Sequence, residues 1–195
     1  MRALIKTGLL FFLFFIVCHN SFSQDSKKKN APIRLLLDAG LSFGGDEIAE
    51  VLFTNGEKQS VRAGQGIAAG VGFQLQIPSV EKFLLRSTVG FKYVTTAADN
   101  VHIRLTRIPI NISGNYMATP KLRLGAGISM HQNIQFKTDG LGGDYKLNPA
   151  TGAVFEIAYS GIALSYTAMK YKDQANKSYS ANAIGLSYSI AIPKM

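Results

Sequence analysis

Tryptophan is absent from this chain of 195 residues, and cysteine occurs once, at Cys18. Cys18 sits in an amino-terminal segment that reads as removable. The mature chain then has no thiol, which excludes intrachain disulfides and cysteine catalysis. Histidine is also scarce, with three residues. No three or four ligands cluster at a zinc or calcium spacing, and His102 with His131 alone do not make a metal site. The GxG patterns lie inside alternating stretches rather than ahead of a helix, so they are not phosphate-cradling loops, and no cofactor is expected. Acidic residues are the minority sign, 12 against 21 basic. That surplus does not point to nucleic acid, because no Arg/Lys cluster is interleaved with a stacking platform. The one basic run, Lys27-Lys28-Lys29, reads as a solvated tail.

Long apolar runs are missing after Val17. Before it, Arg2 and Lys6 precede the apolar stretch Leu9 to Val17, and Ser21-Phe22-Ser23 gives a small-x-small cleavage site before Gln24. This is the pattern of a secretory signal peptide over residues 1–23; the stretch is too short for a membrane-spanning helix, which needs about 20 apolar residues. Val17 before Cys18 is a poor fit to a lipidation site. Residues 24–32 then form a polar tail on the periplasmic side.

Apolar residues abound in the rest of the chain, and they come in alternation. From Leu122 to Gln135, the residues Leu122, Leu124, Ala126, Ile128, Met130 and Ile134 share one parity, interrupted by Gln132. Arg123, Gly125, Gly127, Ser129, His131, Asn133 and Gln135 share the other. A period of two held this long exceeds the usual strand of about five or six residues and suits a tilted strand crossing a hydrocarbon layer. Similar runs are expected at about 33–44, 66–77, 83–95, 101–116, 149–159, 162–171 and 180–192. In the run at 101–116 the apolar parity changes between Leu105 and Ile108, which predicts a bulge around Arg107 to Pro109.

Eight such strands predict an all-β fold, an eight-stranded antiparallel up-and-down transmembrane β-barrel over residues 33–192. An even number closes without leaving an edge in lipid. Short turns at Pro78, Pro120 and Gly161 alternate with longer connections, notably 45–65 and 136–147. Short turns on one side and long loops on the other place both termini in the periplasm of an outer-membrane protein. Tyr93, Tyr116, Tyr159, Tyr166, Tyr171, Tyr179 and Tyr188 fall mainly toward strand ends, where amphipathic rings meet headgroups.

With the apolar parity facing lipid, the other parity fills the barrel. It is rich in glycine and carries the charged set Asp38, Arg86, Lys92, Arg104, Arg123 and Glu156. Strand direction brings Asp38, Arg86, Arg123 and Glu156 to the periplasmic half, where a compensated ion-pair network is expected, since buried charges require partners. Ser129 and His131 share the inward face two residues apart and are weak candidates for nucleophile and base on a lipid ester, with Asp139 or Asp144 the nearest acid.

The Ser-Phe-Ser/Gln junction, Arg107-Ile108-Pro109-Ile110, Asn115-Tyr116 and Leu124-Gly125-Ala126-Gly127 complete a chain that resembles the outer-membrane β-barrel domain proteins of Bacteroidetes-type bacteria, similar in form to small eight-stranded outer-membrane proteins. The resemblance implies outer-membrane residence among its lipids, insertion by the barrel assembly machinery, and roles in envelope integrity, adhesion or secretion. It carries over no active residues. Such barrels commonly end in an aromatic residue, whereas this chain ends Ile190-Ala191-Ile192-Pro193-Lys194-Met195, with Tyr188 the nearest aromatic. The leading functional reading is a non-enzymatic envelope protein whose loops 45–65 and 136–147 meet a partner or surface. A lipid-modifying barrel enzyme and an exported soluble barrel with an apolar ligand inside are the alternatives.

Overall fold

A computed structural model describes residues 33–52, 58–77, 79–98, 101–138 and 143–193, without the side chains of 51–52, 96–98 and 101–102. The expected signal peptide and tail, Pro78 and Asp139 lie outside the described residues. Eight long strands follow in order: β1 Ile33–Phe43, β2 Gly66–Gln76, β3 Phe83–Ala98, β4 Val101–Met117, β5 Leu122–Lys137, β6 Ala150–Tyr159, β7 Ile162–Ala168 and β8 Ala183–Ile192. Each pairs antiparallel with its chain neighbours, and β1 pairs with β8 from Leu35↔Ile192 to Phe43↔Ile184. The ring is closed: an eight-stranded up-and-down β-barrel. The connections 77–82, 118–121 and 160–161 gather at one end with the start of β1 and the close of β8, and the other connections, long after β1, β5 and β7, lie at the opposite end.

The outer face carries large apolar side chains strand after strand. Ile67 is 63 % exposed and Phe155 54 %, with Leu37, Leu41, Val89, Phe91, Ile128, Leu164 and Leu186 in the same condition. A monomer in water does not present so continuous an apolar belt. From Phe83 to Tyr93 the belt follows β3 for about 33 Å, or about 25 Å along the axis at a tilt near 40°, which is the height of a hydrocarbon-facing band. The barrel is therefore transmembrane. A soluble barrel with an apolar lumen requires the opposite facing and is overturned.

Above the belt, on the loop side, the pattern reverses. Val61, Ala63, Ile103, Leu105, Ile134, Phe136, Leu147, Met169 and Tyr171 are buried together in one apolar cluster. β3, β4 and β5 rise past the belt to form its wall, while the connections supply its filling. The hairpin Glu47–Leu52/Lys58–Arg62 leans its Val61 and the following Ala63 into it. A short strand Tyr145–Leu147 pairs with the top of β5, and Lys170–Lys172 pairs with Ser178–Ser180 as a separate ribbon. The predicted strands 162–171 and 180–192 are thus each broken. The break falls where Asn182 takes a ladder position: its Oδ1 accepts from the Met169 amide at 2.9 Å.

The expected bulge is displaced. β4 keeps one phase throughout, with Ile103, Leu105, Arg107, Pro109 and Asn115 all buried on its inward parity. The register shift between β4 and β5 instead puts the extra residue in β5: Thr106 faces Gln135 and Ile108 faces Gln132. Asn133, at φ 48°, absorbs it in the left-handed region that asparagine tolerates. Below Asn133 the odd residues of β5 point inward; above it Ile134 and Phe136 do. Ile134 therefore does not share the outward face of Leu122 to Met130.

Candidate functional site

The interior has two charged levels beneath the apolar cluster. At the lower one, Glu156 of β6 holds two arginines. Arg86 Nη1 of β3 lies 3.3 Å from Glu156 Oε1, and Arg123 Nη1 of β5 meets the same oxygen. Arg86 Nη2 also donates to Ser189 Oγ at 2.7 Å, and Arg123 Nη1 to Asn115 Oδ1 at 2.5 Å. Asp38 of β1 faces the same cavity and couples electrostatically to Arg86 and Glu156. Its buried Oδ1 has no hydrogen-bond partner among the described residues. Three of the four residues thus touch, and the fourth contributes field rather than contact.

Glycine makes this crowding possible at two points. A Cβ on Gly125 would stand 2.5 Å from Asn115 Oδ1, and one on Gly70 would stand 2.8 Å from Asp38 Oδ1. Both distances are below van der Waals contact, so the missing side chains are the space that the polar groups occupy.

At the upper level Lys92 and Arg107 reach into the barrel mouth and bind main chain. Lys92 Nζ donates to Gly64 O at 2.8 Å, Arg107 Nη1 to Ala63 O at 2.7 Å, and Arg107 Nη2 to Gln65 O. Three consecutive carbonyls of the β1–β2 connection are thereby fixed by two cations, and Arg107 is fully buried. These bonds satisfy groups that burial would otherwise penalise, and they seat the connection as a plug. The inward charged set expected from alternation contained Arg104. That residue pairs in register with Thr95 and Lys137 on the outward parity of β4, and Arg107 takes the inward place.

Between the two levels lies a cavity of about 170 Å³ bounded by Asp38, Arg86, Lys92, Ser129, His131 and Glu156. Ser129 and His131 both face it and are buried. His131 Nδ1 is engaged at 2.5 Å by the Tyr171 hydroxyl, and the rings stand 5.8 Å apart. Tyr171, expected at the headgroup level, instead lies in the apolar cluster, its phenol pushed above its ordinary value chiefly by burial. Asp144 is occupied elsewhere, accepting from the Thr138 amide at 3.1 Å. Among the described residues no carboxylate orients His131 and no group of three metal-ligating side chains forms.

The long connections are knitted to one another. Asp46 N donates to Ser180 O at 2.7 Å and Ser180 N to Asp46 Oδ2 at 2.7 Å, while Asn148 N donates to Lys172 O at 2.9 Å. Among the described residues, what they leave outside is mainly polar: Lys58, Gln59, Arg62, Asp144, Lys146, Lys170 and Lys172 are exposed, with Tyr145 among them.

No family model matches the chain, and no curated protein matches it in sequence. Among solved structures it is similar to Ail, the attachment invasion locus protein of Yersinia pestis, at 7 % identity and a TM-score of 0.43, covering 81 % of this chain and 97 % of that one. Ail in complex with the heparin analogue sucrose octasulfate is similar at 8 % identity and 0.42 over the same shares. Neisserial surface protein A is similar at 11 % identity and 0.43, again over 81 % and 97 %. The likeness assigns no role to any residue here.

Proposed function

We propose that this is a small non-enzymatic outer-membrane barrel that acts through its loop crown, in an envelope-structural or surface-interaction role. Residues 1–23 are its export signal, both termini face the periplasm, and the barrel assembly machinery inserts it. The local phrases Arg107-Ile108-Pro109-Ile110 and Leu124-Gly125-Ala126-Gly127 support a protein of the Bacteroidetes-type outer-membrane class. The observation that carries the reading is the filled interior. Arg86, Arg123 and Glu156 occupy it at one level, and the 63–65 main chain, clamped by Lys92 and Arg107, occupies it at another. A barrel so filled has its chemistry available at the loops rather than along a pore. The lower-level ion pairs then serve to make a polar interior tolerable.

The test is localisation with boiled and unboiled electrophoresis, followed by planar-bilayer recording. A heat-shifted band in the outer-membrane fraction and no steady conductance are expected. A soluble periplasmic protein, or a stable open channel, would sink the reading. Ser129 and His131 give little support to lipid chemistry, since the imidazole is committed to Tyr171; an altered lipid A acyl pattern in a deletion strain would revive that alternative.

A further inference from the structure

Beneath the Glu156 level, at the turn end of the barrel, a second cavity of about 180 Å³ is lined by Arg34, Arg86, Lys121 and Arg123, and by no carboxylate. Arg34 is the notable member. Its residue is only 4 % exposed, it lines this cavity, and its Nε and Nη2 are buried with no hydrogen-bond partner among the described residues. The Nε of Arg86, cross-strand from Gln74, is likewise buried and unpartnered. Gln74 lies directly opposite Arg34 on β2 and is also buried. Glu156 is shared between Arg86 and Arg123, and Asp38 faces the upper cavity, so neither neutralises Arg34. Guanidinium donors taken from water without acceptors are costly, and a planar fork is complementary to an oxyanion.

We infer that this turn-side vestibule is a binding site for a small tetrahedral oxyanion of the phosphate class, with Arg34 as its principal ligand and Gln74, Lys121 and the Nε of Arg86 beside it. The Glu156 level closes the site above, so the anion enters from the turn end and stays there. Two sources share this chemistry: free phosphate, and the phosphate of a lipid headgroup at the adjacent leaflet.

The experiment uses the mature full chain refolded in a nonionic detergent, with inorganic phosphate titrated at constant ionic strength against chloride. The unfolding midpoint should rise saturably with phosphate, and Arg34→Gln should weaken the apparent affinity at least about tenfold, as expected for losing a hydrogen bond to a charged group. Arg34→Lys keeps the charge without the fork; it should fold and bind more weakly than the parent, which preserves the test if Arg34→Gln does not fold. In phospholipid nanodiscs a phosphate response equal to that in detergent supports free phosphate, and one suppressed in proportion to phospholipid content supports the headgroup. No saturable response in detergent, or one unchanged in both variants, overturns the site. So does a response that appears only after residues 24–32 are deleted, since the chain's own tail would then be the occupant.

Discussion

The membrane level and the loop level of this barrel are built from the same strands with opposite solvent logic. Along β4 the inward face runs Asn115, Ser113 and Asn111 through the membrane level, then Arg107, then Leu105 and Ile103 above it. The outward face runs Ile112, Ile110 and Ile108, then Thr106 and Arg104. Below, lipid selects apolar side chains outside and a polar filling within; above, water selects the reverse. Arg107 stands at the crossover, its charge turned to plug carbonyls. The lesson is that a period of two reports which face is apolar and not which face is inside. The second question depends on the solvent at that height.

β5 sharpens the comparison because it inverts twice. Asn133 flips the facing of the strand at the height where the solvent changes, and the two reversals cancel. Apart from Gln132, its even residues therefore stay apolar from Leu122 to Phe136, although Leu124 and Ile128 meet lipid and Ile134 and Phe136 meet the buried cluster. The largest expected effect comes from removing that device. Deleting Asn133 turns Ile134 and Phe136 outward, since a shift of one residue moves every side chain to the other face. The loss in urea unfolding from lipid vesicles should be no smaller than that of Phe136→Ala, about 3–5 kcal/mol for a buried phenylalanine. If the deletion instead left the midpoint where it was, β5 would have no fixed register above the membrane.

The next effect tests the outer face directly. Val89 is 47 % exposed near the middle of the belt on β3 and Thr95 lies above it on the same outward parity. Val89→Arg should cost about 2–4 kcal/mol, and Thr95→Arg about 0–1, because the cost of a charge on the lipid face falls toward the interface. Equal costs in the same vesicle assay would mean that the belt does not end where the apolar residues do. Smaller again is Gly125→Ala, which tests the lower charged level. The new methyl meets Asn115 Oδ1, the acceptor of an Arg123 bond, and must displace it. A loss of about 1–3 kcal/mol is expected, typical of overpacking, and Asn115→Ala in the same chain should recover part of it. A strictly additive double mutant would show that the two do not share the space.

The barrel was legible in the sequence wherever one solvent acts along a whole strand. β1, β2 and β6 begin and end within about a residue or two of their alternating runs, because lipid on one side and a polar lumen on the other give one unambiguous parity. The arginines and glutamate of the lower level followed from the same parity. What alternation did not carry was the loop-level tier. In β4 the solvent change has no bulge to offset it, so it reads as a slip that the backbone does not make, and Arg104 is assigned the place that Arg107 holds. In β5 the bulge hides the change. Gln132 and Asn133, the polar break in an otherwise apolar parity, were the available sign. Tyr171 illustrates the remaining difficulty: a tyrosine near a strand end suits a headgroup belt, and only the folding of 58–63 and 169–181 over the mouth makes it a core residue bonded to His131.

The smallest effect lies furthest from the membrane, where the comparison predicts that charge should matter least. Lys58 Nζ sits 2.7 Å from Glu50 Oε1 across the exposed hairpin. The hydrogen bond and charge of Lys58 hold the Glu50 carboxyl below its ordinary value of 4.5, and the same contacts raise Lys58 above 10.5. A depressed acid contributes stability above its unfolded pKa that is lost as pH falls through the folded one. A raised amine contributes below its unfolded pKa and loses it as pH rises through the folded one. The pair is therefore fully effective between about pH 5 and 10, and salt should weaken it, since both groups are in water. Carbon-detected titration of Glu50 should show a midpoint below 4.5 that returns toward it in Lys58→Gln. Lys58→Gln should not alter global unfolding measurably, in contrast to removing Glu156, whose arginine partners are buried. A Lys58→Gln variant that lowered the global midpoint as much as Glu156→Gln would mean that the hairpin carries the barrel, and the two-level account would fail.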